Sequence, residues 1–455
     1  MRKAAGFLAS FVAVAALTLA FPRVAVAHGI GGRLDLPVPL ELFIAGAGLV
    51  LVVSFVALAV LWPEPRLQDG PRYDAPATRG PVRALRFVLG GVGLVSLLLV
   101  IGQVVPSWFG VEREFARPTI APVMVWVVFW LAVPFAAALV GNLYADLSPW
   151  RVLGSGFADR EQPEAVNRWG IWPATVVFVA FTWLELVSPR SGDPVALGYA
   201  ALGYTVLMAL GMAYVGRDAG LQVFDPFTSY NRLISSISPL GRDTNGRIVW
   251  RGWLRSLAVV PEWRGLWVFV VVMIGTVSYD GASGTDWFGS LTGRVGNTTE
   301  GRTLLLLASV AIIGAGYLGA SAVAARLSEA SSTALDVAQR FAHTLVPIAL
   351  AYAVAHYFTL IIFEGQQLIA AVSDPFGIGW DLFGTADRRV EFFISNTDLI
   401  WYIQVASIVI GHVLGVVLAH DRALVDFGRD AVRSQYAMLV LMVGLTTLGL
   451  LVLAG

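Results

Sequence analysis

Four of the five histidines fall in or beside two apolar stretches: His343 and His356 in residues 342–363, and His412 and His420 in or just after residues 399–419. Three carboxylates, Glu185, Asp280 and Glu364, sit at or next to the ends of apolar stretches of their own. Ionisable groups inside or bordering such stretches are costly to hold in a bilayer, so they mark candidate sites. One His with several carboxylates is a workable ligand set for zinc or another divalent ion. Such an ion lowers the pKa of bound water and polarises a phosphoryl oxygen. His356 precedes Glu364 by eight residues, about 80° round and roughly 12 Å along a helix. His356, Glu185, Asp280 and Glu364 are therefore the candidate catalytic and metal-binding residues. Asp374 and Asp381, in the connection that follows, could close over them. The competing reading is plainer: carboxylates at helix ends face water, and a membrane His hydrogen-bonds a neighbouring helix.

Other chemistries fare worse. Cys is absent, which excludes disulfides, Cys-ligated metals and thiol catalysis. A pair of haem-ligating histidines needs one depth on facing helices. His356 and His412 differ by about 10 Å in depth, and His343 and His356 lie about 220° apart on their helix. Trp401, Gln404, Ile408, His412 and Gly415 share one helical face, which reads as a packed seam more readily than as a polar path. The Gly314-x-Gly316-x-x-Gly319 match to a nucleotide fingerprint lies inside an apolar stretch with no strand before it, so helix packing explains it better. Asp225-Pro226-Phe227 reads as a turn.

The elements that must position these residues are transmembrane helices. Of 455 residues, 57% are hydrophobic and 14% charged, and mean hydropathy is +0.72. Soluble domains carry roughly 25% charge, so a soluble enzyme, a nucleic-acid binder and a disordered chain are excluded. A helix needs about 20 mainly apolar residues to cross the hydrocarbon core. Ten stretches qualify: 40–62, 84–105, 120–144, 171–188, 195–216, 265–280, 303–324, 342–363, 399–419 and 436–455. The fourth and sixth are short and partly polar. The fold expected is an all-α polytopic membrane bundle forming one domain over residues 28–455. Before it, Arg2, Lys3, the apolar run 4–20 and Ala25-Val26-Ala27 form a signal peptide, residues 1–27, whose cleavage would leave His28 first. With the mature N-terminus outside, twenty Arg fall on inner segments and eight on outer ones, as the positive-inside rule requires of a plasma-membrane protein. Glu185, Asp280 and Glu364 then fall outside. Trp250, Trp253 and Trp263, among Arg residues in the inner connection 217–263, suit a segment lying along headgroups.

Several stretches together resemble one family: Leu36-Pro37-Val38-Pro39, Trp183-Leu184-Glu185-Leu186, Ser278-Tyr279-Asp280-Gly281 and His343-Thr344-Leu345-Val346-Pro347-Ile348-Ala349. Ala355-His356-Tyr357-Phe358, Gly379-Trp380-Asp381-Leu382-Phe383-Gly384, Gly411-His412-Val413 and His420-Asp421-Arg422-Ala423 continue the likeness. The chain resembles the actinobacterial polytopic membrane proteins labelled fenitrothion hydrolase. The resemblance implies a membrane-bound hydrolase of organophosphorus esters, acting on a hydrophobic small molecule from the lipid bilayer. The second reading is a transporter or channel, since ten spans and Pro-containing helices, with Pro134 and Pro347, suit moving parts. A non-catalytic subunit of a membrane complex is the third reading.

Overall fold

The computed structural model describes residues 38–70, 82–110, 118–157, 163–243, 247–328, 332–392 and 397–455. The predicted signal peptide and His28 lie outside them. The described chain is predominantly helical, with almost no strand. In order come α1 (Leu40–Leu61), α2 (Arg83–Ile101), α3 (Ile120–Val140), α4 (Trp172–Leu186), α5 (Pro194–Val215), α6 (Arg217–Phe224) and α7 (Pro226–Ser235). A two-stranded antiparallel ribbon follows, β1 (Leu240–Arg242) and β2 (Ile248–Trp250), then α8 (Leu266–Ser283), α9 (Thr299–Leu327), α10 (Val346–Glu364), α11 (Thr397–Phe427) and α12 (Tyr436–Ala454). Among the described residues, nine helices are long and apolar enough to cross a membrane. They coincide with nine of the ten predicted spans. The other, α4, has 15 residues, about 22 Å of rise against a hydrocarbon core of about 30 Å.

Helix starts follow from local chemistry. The Asp193 side chain accepts from the backbone N–H groups of Val195 and Ala196 at the head of α5, with Pro194 in its first turn. Thr298 caps α9 through Gly301 N–H. Within α3, residues Val123–Ala132 are π-helical. The α-helical pattern resumes beside Pro134, which has no N–H to give to a carbonyl in the preceding turn.

Packing divides the described residues into two compact units. One comprises residues 38–70, 254–356 and 397–455. Its core joins Ile44 and Ala47 of α1 to Ala355 of α10, Ile408 of α11 and Leu450 of α12. Close approach of α11 to α10 depends on Gly411, where a Cβ would stand 2.2 Å from the Ala351 Cβ and 2.7 Å from the Pro347 carbonyl oxygen. That is the small-residue packing expected of Gly411 and Gly415. Asp421, buried near the end of α11, accepts from Trp62 Nε1, the backbone N–H groups of Arg66 and Leu67, and Gln68 Nε2. One carboxylate thus ties down the chain leaving α1.

The second unit comprises residues 82–253 and 357–392. Val100, Ala121 and Leu197 join α2, α3 and α5. The ribbon is held by Arg242, whose guanidinium reaches both oxygens of the buried Asp146, and Arg86 Nε meets the same carboxylate at 3.0 Å. In residues 364–392, Asp374 accepts the backbone N–H groups of Ile378 and Gly379, and Asp381 those of Ala386 and the Ser373 hydroxyl. Both acids fold their own loop.

The connection 217–263 does not simply lie along a surface. Trp250 and Trp253 are exposed as expected, but Trp263 is buried. Its first third folds back against α5. Gly220 of α6 sits where a Cβ would meet Met212 Cα at 2.9 Å, and the Phe224 ring lies over Gly211. After the Asp225 turn, α7 returns past α4, with Phe227 against Phe181 and Tyr230 against Phe178. Residues 217–235 are therefore a helical hairpin inserted among α3, α4 and α5.

Candidate functional site

In the first unit, α8 and α10 bring Asp280 and His356 together across 76 residues of sequence. His356 Nε2 lies 2.9 Å from Asp280 Oδ2. The side chains are 29% and 23% exposed, so the pair is sheltered but reachable. Gly281, next to Asp280, lines the Nδ1 edge of the ring: a Cβ there would lie 3.6 Å from Nδ1 and would collide with Val452 at 2.4 Å. One turn earlier on α10, the Tyr352 ring occupies space that a Cβ on Gly449 would take. Gln404 of α11 donates to the carbonyl of Ala355, fixing the backbone beside His356. With Asp280 as acceptor the ring carries its proton on Nε2, which leaves Nδ1 as the basic nitrogen. The arrangement can take a proton at Nδ1 and hold the resulting imidazolium against a carboxylate.

The other two candidates belong to the second unit. Glu364 ends α10 and accepts from Gln367 Nε2. Glu185, near the end of α4, lies within electrostatic reach of the buried Tyr230 of α7. Among the described residues, no group of three or more His, Asp or Glu side chains is placed to hold a metal ion. The His356–Asp280 pair by itself offers two donor side chains.

Of the remaining histidines, His412 is fully buried in the seam and donates from Nδ1 to the Ile408 carbonyl, while His420 meets the Trp62 carbonyl and Gln435. On the Trp401–Gly415 face, Trp401, Ile408, His412 and Gly415 are buried and Gln404 donates to the Ala355 carbonyl of α10.

A second polar centre, read from sequence as a plain turn, is the tip of the α6–α7 hairpin. Asp225 is fully buried and caps α7. It accepts from Tyr144 Oη at 2.8 Å, Tyr204 Oη at 2.7 Å, Thr228 Oγ1 at 2.8 Å and the Phe227 N–H at 2.9 Å. Tyr204 stands eleven residues before Val215, the last residue of α5, so the tip lies roughly 16 Å along the spanning helix. A break in helix at such depth is tolerated where protein buries it. A signal for this was present: between Asp218 and Arg232, in an otherwise Arg-rich connection, Asp225 is the one charged residue.

Compared with known proteins, the chain matches no family model, no curated protein and no solved structure.

Proposed function

We propose that this multi-pass membrane protein is an ester hydrolase working at the outer face of the plasma membrane, with His356 as general base and Asp280 as its orienting partner. The 2.9 Å contact between them carries the reading; the resemblance to the organophosphorus-hydrolase family names the substrate class. Asp280 holds the Nε2–H tautomer. Nδ1 takes a proton from water as its oxygen bonds to phosphorus. The bond from phosphorus to the leaving oxygen breaks, and the imidazolium returns the proton to that oxygen. Asp280 stays ionised throughout and stabilises the imidazolium.

The test is turnover of a nitrophenyl phosphotriester by purified protein. General-base catalysis contributes about 10²–10⁴-fold, so His356→Ala should lose about that much kcat, and Asp280→Asn a large part of it. Equal turnover in wild type and His356→Ala, or none in wild type on phosphorus and carboxyl esters alike, would overturn the proposal.

One observation favours a transporter instead: a helical hairpin ending at a buried carboxylate deep among spanning helices, the kind of discontinuity found at transport sites. Solute flux into proteoliposomes that collapses in Asp225→Asn, with ester turnover absent, would establish that alternative.

A further inference from the structure

The second unit contains a cavity of about 450 Å³, within the size range of small-molecule sites. Its walls come from α2, α3, α4 and α5, with the Tyr144, Tyr204 and Phe227 side chains around the hairpin tip. Three features define what it can hold.

The first is polarity. The lining is almost entirely aliphatic and aromatic. Among the described lining residues, the hydroxyls are those of Ser96, Tyr144 and Tyr204, and both tyrosines donate to Asp225. A buried water needs two to four polar partners, and this wall cannot provide them for a cluster of waters. An apolar space left empty forfeits dispersion contacts over its whole lining.

The second is shape. The cavity follows α2 from Val92 to Val100 and α5 from Leu197 to Leu207, roughly 12 Å and 15 Å of helix rise. It is a slot running along the spanning helices, parallel to the lipid chains of a surrounding bilayer.

The third is access. Val92, Val176 and Leu207, which line the cavity, are 51%, 68% and 36% exposed. On helices of this hydropathy, exposed apolar side chains face hydrocarbon, so the slot opens sideways to the bilayer.

We infer that this slot binds one hydrocarbon chain of a membrane lipid, entering laterally between α2, α4 and α5 and ending near the rings of Tyr144 and Tyr204. The site shares no residue with the His356–Asp280 pair and does not depend on the hydrolase reading. The Asp225 hydrogen bonds give it a fixed end wall by turning both hydroxyls away from the chain. Ala180 and Ala200 line it with small side chains, which leaves the room that a larger residue would take.

The test uses the full chain in nanodiscs of phosphatidylcholine bearing a photoactivatable diazirine midway along one acyl chain. After illumination, mass spectrometry should place label on cavity residues such as Val177 and Ala200. Ala200→Trp and Ala180→Phe, which fill the slot, should cut that labelling several-fold. Labelling of Leu304 and Ile312, exposed on α9, should stay unchanged. Label confined to lipid-facing positions, or cavity labelling untouched by both fillers, would overturn the inference. So would a purified protein whose cavity holds a non-lipid small molecule. Should the fillers fail to fold, the wild-type map decides by itself between slot and surface.

Discussion

Replacing Asp225 by Ala tests the most unusual polar arrangement in the molecule. The wild-type carboxylate takes four donors, at 2.7–2.9 Å. Its removal leaves the Tyr144 and Tyr204 hydroxyls buried without their acceptor. Each stranded hydroxyl costs about 1–3 kcal/mol, and loss of the α7 cap adds about 1 kcal/mol. The expected destabilisation is therefore about 3–7 kcal/mol. The sharper prediction concerns its sign in combination. Removing both partners of a buried hydrogen bond costs far less than removing one. Tyr204→Phe should destabilise the wild type by about 1 kcal/mol, yet stabilise the Asp225→Ala variant by relieving a stranded hydroxyl. Tyr144→Phe should behave likewise. Reversible unfolding in mixed micelles, run as a double-mutant cycle, measures both. Effects that add to within about 0.5 kcal/mol would show that phenol and carboxylate do not interact, and the hairpin-tip account would fall.

Further outcomes follow from the same contacts. Gly411→Ala drives a methyl into Ala351 and the Pro347 carbonyl and should cost about 1–3 kcal/mol. Gly319→Ala meets nothing within 4 Å and should be neutral or slightly stabilising by its better helix propensity; equal effects at the two sites would refute the packing account. Asp421→Ala strands the donors from Trp62, Arg66, Leu67 and Gln68. It should destabilise by about 3–5 kcal/mol and expose the 62–70 segment to protease; an unchanged digestion pattern would argue otherwise.

Hydropathy, being a local sum, reports which stretches belong in lipid but not how helices are rotated about their axes. Nine predicted spans appear as helices, and the glycine pair of α11 packs as its spacing requires, since both features are written within one segment. The amino-acid sequence alone thus determined an all-α membrane bundle and a short set of ionisable candidates. Tertiary structure decided which of them meet. Asp280 and His356 are joined because α8 and α10 turn those faces together, while Glu185 and Glu364 make their contacts in the other unit. It also decided that the Asp225 turn is buried among aromatic rings. A turn signal is satisfied by three or four residues, whereas the donors to Asp225 come from residues 144, 204, 227 and 228. Packing of α5 and of the short segment after α3 against the hairpin collects them, because burial of a polar group depends on everything that surrounds it and not only on its neighbours in the chain.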